Sequence, residues 1–265
     1  MSLSIFMLVA YLGLGAVAGI IGGLLGLGGG IVIVPALLLI FIHQDFPPGS
    51  LMHLAVTTSL ATIIFTSMSS AYAHHRRQAV DWKIVKFLVP GIVMGAVIGA
   101  VIADHLDSDR LRVFFGIFEL LVAFQVWSGL KPEASRQLPR YQGMLLAGNG
   151  IGMFSTILGI GGGTLTVPFL LWCNVNIRIA VATSAACGLP IALAGCITMI
   201  IAGWNQPGLP EFTLGYVFWP AALGIIITSI LTAPVGAKFA HRLPVQTLKR
   251  IFAFVLAAIG IRMLI

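Results

Sequence analysis

Leu25-Gly-Leu-Gly-Gly-Gly-Ile-Val-Ile-Val-Pro-Ala-Leu-Leu38 and Leu158-Gly-Ile-Gly-Gly-Gly-Thr-Leu-Thr-Val-Pro-Phe-Leu-Leu171 decide how this chain folds. The two stretches share three consecutive glycines, a proline and the flanking leucines, and lie 133 residues apart. Further on, Ala55-Val-Thr-Thr-Ser59 lies over Ala180-Val-Ala-Thr-Ser184, and Trp82, Gly99-Ala100, Ala103, Leu106 and Leu111 each recur 137 residues later. Self-similarity over this length marks a tandem duplication. It divides the chain into repeat 1 over residues 1–130, a linker over 131–140 and repeat 2 over 141–265.

Composition sets the solvent. Of 265 residues, 58% are hydrophobic and 9% charged, against roughly 25% charged in a soluble globular chain. A mean hydropathy of +1.04, with 31 glycines and 13 prolines, fits helices packed closely in lipid, where both residues are commoner than in water. The net charge of +7 sits in short loops between apolar runs, so it reads as a topology signal and not as a nucleic-acid footprint. Cys173, Cys187 and Cys196 lie in apolar stretches without Cys-x-x-Cys or Cys/His spacing, which argues against a disulfide framework or a zinc site. No Lys or Arg precedes Arg76, so the basic region of a cleavable signal peptide is missing and Leu3 onward is expected to stay as the first helix.

A spanning helix needs about 20 apolar residues to cross a core about 30 Å thick. The first repeat offers Leu3–Leu25, a short Ile31–Ile42, Leu51–Ala73, Ile84–Ala103 and Leu111–Leu130; the second offers Met144–Leu158, a short Thr164–Trp172, Ala180–Ala202, Leu214–Ala237 and Ile251–Ile265. The expected fold is an all-α polytopic membrane protein with about five helical elements per repeat, one of them a short half-helix. Leu3–Leu25 either crosses fully or forms a re-entrant hairpin with Ile31–Ile42.

Equivalent loops carry opposite charge. After the third element, repeat 1 has His74-His75-Arg76-Arg77 with Lys83 and Lys86, whereas repeat 2 has no Lys or Arg up to Glu211. After the fourth, repeat 1 has Asp104, Asp107 and Asp109, and repeat 2 has Lys238, Arg242, Lys249 and Arg250. The positive-inside rule then places 12 of the 15 Lys+Arg, and the linker Lys131–Arg140, in the cytoplasm and both termini outside. That is an inverted-topology repeat, a plan that secondary transporters use.

The residues with chemical potential cluster at the duplicated motif. Gly28, Gly29 and Gly30, like Gly161, Gly162 and Gly163, open a segment too short to span, with Pro35 or Pro168 as a helix-breaking residue in the same place. A break at membrane depth leaves backbone N–H groups free and is tolerated where it lines a cavity. Two such positive helix ends meeting near the midplane make an anion site without a buried Lys or Arg. Close packing is the competing role of small residues, and for Gly91, Gly95 and Gly99 it is the favoured one. Thr57, Thr58 and Ser59, with Thr183 and Ser184, open the third element of each repeat, where hydroxyls either donate to an oxyanion or bond to the local backbone. Ala182 stands where repeat 1 has Thr57, so the half-sites differ.

Glu119 lies inside an apolar helix opposite Leu256 of the second repeat. It reads either as a proton-coupling carboxyl or as a hydrogen-bonded group fixing helix packing, with Gln125 or Arg262 as partners. Asn149 is a further polar residue within an apolar run, and the six histidines fall at helix ends, where solvated imidazoles are expected. No Gly-Lys-Ser/Thr follows either glycine cluster, and neither a serine–base pair nor His-Glu-x-x-His occurs; ATP-driven pumping, a bound cofactor or metal, and enzymatic activity are not expected.

The two glycine-proline segments followed by Ala-Val-x-Thr-Ser, together with Val80-Asp81-Trp82 and the Gly-Ala-x-x-Ala stretches at 99–103 and 236–240, resemble the TauE/SafE sulfite exporter family, also called the 4-toluene sulfonate uptake permeases. The resemblance covers essentially the whole chain. It implies a cytoplasmic (inner) membrane permease for a small sulfur-containing anion such as sulfite, thiosulfate, a sulfonate or sulfoacetate, working without ATP; protons are the coupling ion that Glu119 suggests. A passive anion channel built from the same helix ends is the alternative.

Overall fold

The computed structural model describes residues 5–25, 29–128, 137–239 and 245–264. Its helices are α1 (Ile5–Leu25), α2 (Gly30–His43), α3 (Leu51–His75), α4 (Trp82–His105), α5 (Ser108–Ser128), α6 (Tyr141–Ile157), α7 (Gly163–Trp172), α8 (Ile177–Ala202), α9 (Trp219–Phe239) and α10 (Val245–Leu264). The all-α polytopic expectation holds. Among the described residues five helices are long and apolar enough to cross a membrane, lying in α1, α3, α4, α8 and α9. Exposed Ile5, Phe6, Phe124, Leu146, Ile201, Leu231 and Phe254 give the exterior the apolar surface that lipid solvates and water does not.

The elements α1 to α5 and α6 to α10 do not pack as two separate bundles. α4 packs along α6 and α1 along α9, α5 pairs with α10, and α3 crosses α8 in the middle. Each pairing maps onto another, or onto itself, when the halves are exchanged. The larger buried core joins α1, α2 and α3 to α9 and also takes in residues of α4, α5, α6, α8 and α10, and a smaller one joins α6, α7 and α8 to α4.

Small residues make these pairings close. A Cβ on Gly15 or Gly19 would run into Thr228, Ile225, Ser229 and Thr232 of α9; one on Gly91, Gly95 or Gly99 would meet the carbonyls of Leu145, Asn149 and Met153 on α6. The packing role expected for Gly91, Gly95 and Gly99 is what the structure gives them.

Differences from the sequence expectation have local causes. The apolar run from Leu214 does not begin as helix: Thr213–Leu214 and Val217–Phe218 pair as a two-stranded hairpin, β1 and β2, and α9 starts only at Trp219. Gly215, at φ +53°, makes the tight turn. Phe218 then packs edge-on against Phe41 and Phe46, at ring centroid distances of 5.7 and 5.1 Å. Nor are all the histidines solvated. His53 and His74 are buried; the His53 imidazole hydrogen-bonds the Ala103 carbonyl through Nε2 at 3.1 Å and packs on Tyr216. His241 lies outside the described residues.

Candidate functional site

Each short helix starts at the last glycine of its triplet, α2 at Gly30 and α7 at Gly163. With 14 and 10 residues they run about 21 and 15 Å, too short for a core about 30 Å thick. Neither start is capped by a side chain, so the first-turn N–H groups face the break. Gly29 adopts φ +80°, a left-handed conformation that favours glycine; a Cβ there would lie 2.7 Å from the Ala18 carbonyl oxygen. Pro35 and Pro168 sit inside α2 and α7, not at their ends, where the missing N–H frees the carbonyls of Ile31 and Thr164.

The second break is a glycine C-cap turned back on itself. Gly159, at φ +63°, donates its N–H to the Thr156 carbonyl at 3.1 Å, and Ile160 donates to the Ser155 carbonyl at 2.9 Å. This turn meets the start of the other half-helix. A Cβ on Gly30 would strike the Gly159 carbonyl and come within 2.8 Å of Ile160 Cα, while one on Gly159 would sit 2.9 Å from Val56 Cα of α3. Ser59 completes the junction by donating from Oγ to the Gly159 carbonyl at 2.8 Å. Gly162 in turn lies against Ser184 and Gly188 of α8, and Gly188 against Ser67 of α3. The crossing helices α3 and α8 thus hold the two breaks beside each other.

Of the residues singled out from sequence, Gly29, Gly30, Gly161, Gly162, Gly163, Thr57, Thr58, Ser59, Thr183 and Ser184 all lie on or beside these two breaks and the crossing helices; Gly28 falls outside the described residues. Their hydroxyls differ in occupation. Phe218 N–H donates to Thr58 Oγ1 at 3.0 Å, and Asp81 N–H donates to Thr183 Oγ1 at 3.1 Å. The two bonds are counterparts: in each, a threonine near the start of a crossing helix accepts from the residue just before the fourth helix of the other half. Ser184 donates back to the Val181 carbonyl at 2.8 Å. Thr57 is buried and its hydroxyl has no hydrogen-bond partner among the described residues.

Glu119 stands elsewhere, on α5, whose main partner is α10 through the Gly116 and Gly260 approach. It is fully buried and neither carboxyl oxygen has a hydrogen-bond partner among the described residues, so Gln125 and Arg262 do not hold it. The backbone of Asn149 packs against Gly91 and Gly95. Among the described residues no three His, Cys, Asp or Glu side chains gather into a metal-binding group.

Ser155, Thr156, Thr164 and Thr166 were not anticipated. All four are buried at the second break, and among the described residues none of their hydroxyls has a hydrogen-bond partner. Leaving a buried hydroxyl unpaired costs about 1–3 kcal/mol, so four in one short segment is a heavy penalty. The signal was present in the repeat alignment, where these positions match Gly22, Gly23, Ile31 and Ile33.

The family model described as sulfite exporter TauE/SafE matches residues 11–263. A probable membrane transporter protein of Haemophilus influenzae is 38% identical over 94% of this chain and 95% of its own length. The probable membrane transporter protein YunE of Bacillus subtilis is 30% identical over 95% of each chain, and a probable membrane transporter protein of Methanocaldococcus jannaschii is 28% identical over 95% of this chain and 93% of its own. No solved structure matches. With the start of one half-helix seated against the glycine turn that leads into the other, inside a bundle of apolar helices, and a family match over nearly its whole length, the chain belongs to the TauE/SafE sulfite exporter family of membrane transporters.

Proposed function

We propose that this protein is a secondary transporter of a small sulfur-containing anion, of the sulfite, thiosulfate, sulfonate or sulfoacetate class, and that the anion binds between the N-terminal ends of α2 and α7 near the bilayer midplane. The observation that carries this reading is the close approach of Gly30 to Gly159 and Ile160, which seats the uncapped start of α2 against the turn that leads into α7, itself uncapped. Helix N-termini hold anions through free N–H groups and the partial charge of the helix dipole. The loop charges support an inverted arrangement of residues 1–130 and 141–265 in the inner membrane, with both termini outside. Glu119, a buried carboxyl without a partner, is the proton-coupling group in this reading.

Flux of sulfite, thiosulfate and a small sulfonate into proteoliposomes, with and without a pH gradient, tests it. Saturable flux that responds to the gradient is expected, with loss of that response in Glu119→Gln. Flux that follows only the anion's electrochemical gradient without saturating would identify a channel instead. Undiminished flux in a folded Gly29→Leu, Gly162→Leu double variant would remove the site from the helix breaks.

A further inference from the structure

Hydroxyls buried in membrane helices ordinarily bond back to the preceding turn. Thr62, Thr66, Thr198 and Thr232 do so, donating to carbonyls three or four residues earlier at 2.7 to 3.0 Å. Ser155, Thr156, Thr164 and Thr166 do not, although all are at least nine-tenths buried. They flank the second break, two in the last turn of α6 and two in the first turn of α7. The Ile160 to Ser155 backbone bond folds the connecting turn back onto them. At the first break the corresponding positions, Gly22, Gly23, Ile31 and Ile33, carry no polar side-chain atom.

These groups also limit the charge of the ligand. No Lys or Arg lies between residues 141 and 177, so the positive potential this stretch supplies is that of the α7 start, to which the α2 start beside Gly159 adds its own, about half an elementary charge each. The cost of moving an ion out of water rises with the square of its charge, so a dianion of similar size loses about four times as much solvation as a monoanion. Neutral hydroxyls and one net positive charge match a single negative charge.

Resting on the transporter reading above, we infer that the site is chemically one-sided and takes a singly charged sulfo group, R–SO₃⁻ or hydrogensulfite, whose oxygens accept from the hydroxyls of Ser155, Thr156, Thr164 and Thr166 of the second half. The first half contributes its helix end but no side-chain donor from these positions.

Methanesulfonate uptake into proteoliposomes, with thiosulfate as the dianionic competitor, separates the possibilities. The Thr164→Val, Thr166→Val pair keeps shape and removes two donors, and is expected to raise the half-saturation concentration about tenfold per hydroxyl, equal to about 1.4 kcal/mol each. The Thr164→Ser, Thr166→Ser pair restores it, and Ser155→Ala provides an independent single change if the valine pair does not fold. Thiosulfate is expected to compete at least tenfold more weakly than methanesulfonate. In purified protein, methanesulfonate should raise the thermal midpoint of wild type and of the serine pair, and not that of the valine pair. Wild-type half-saturation in the folded valine pair or in Ser155→Ala, or equal competition by thiosulfate, overturns the inference while the transporter reading stands. Absence of saturable flux of any sulfur anion by wild type overturns both.

Discussion

The two helix breaks share a skeleton and differ in lining. In both halves a glycine triplet opens a short helix with a proline in its second turn, and in both a threonine of the crossing helix accepts the N–H that precedes the other half's fourth helix. Yet at positions that align between the repeats the first half carries Gly22, Gly23, Ile31 and Ile33, and the second Ser155, Thr156, Thr164 and Thr166. Features that hold helices together are repeated because each half must pack on the other. Side chains that would face a ligand need to be present only once. Glu119 opposite Leu256 and Thr57 opposite Ala182 follow the same division.

The largest effect is expected where the shared skeleton is tightest. Gly95→Leu would force a side chain into the Asn149 carbonyl and should cost about 3 kcal/mol or more, losing the folded protein in size-exclusion chromatography. Gly13→Leu and Gly150→Leu, with nothing within 4 Å, should leave the elution profile unchanged. If all three behaved alike, the stripe would not be the packing seam.

Making the halves alike at position 119 sharpens the contrast next. Glu119→Leu removes two buried carboxyl oxygens without partners and should raise stability by about 1–3 kcal/mol, read as a higher thermal midpoint in detergent, while the pH response of transport disappears. A lowered midpoint would mean that Glu119 holds the α5 and α10 pair together.

The crossing bonds test the symmetry itself. Thr58→Val and Thr183→Val each leave a backbone N–H, of Phe218 or of Asp81, without its acceptor, and each should cost about 1–2 kcal/mol. Equal losses are expected; a silent member of the pair would show that the matched geometry is not matched in energy.

The smallest effect concerns the hairpin, which the first half lacks among its described residues. Tyr216 donates from its hydroxyl to Asp104 Oδ1 at 3.0 Å, and burial, followed by the Asp104 carboxylate, pushes its phenol above the ordinary value. An acid with a raised value in the folded state contributes stability below the unfolded value, and that contribution is lost as pH rises past about 10. Tyr216→Phe should therefore cost about 1 kcal/mol at pH 7 and blunt the wild type's loss of stability above pH 10, measured by thermal unfolding across pH.

Much of this was legible in the sequence because lipid imposes simple rules. Apolar runs of spanning length and a repeated Gly-Gly-Gly with its proline locate nearly every helix and both breaks. Which helices pair was not legible: in lipid an apolar face carries no mark of its partner, so the seating of α4 on α6 and α1 on α9 had to come from the fold. The hairpin at 213–218 escaped because Leu214, Tyr216, Val217 and Phe218 are as apolar as a span, and a two-residue strand is too short for alternation to show. The four hydroxyls escaped for another reason: in sequence a membrane serine or threonine looks the same whether its back-bond forms or not.

The exchange of helices between halves also sets a clock on assembly. Thr228 of α9 donates to the Leu12 carbonyl of α1, a partner 216 residues earlier in the chain. At synthesis rates of about 5–20 residues per second, α1 emerges about 10–40 s before the helix it packs against. During that interval its glycine seam has nothing of this chain to close on. The early chain therefore depends on whatever shelters nascent membrane helices at the site of insertion, and a stop codon anywhere before α9 leaves α1 without its mate.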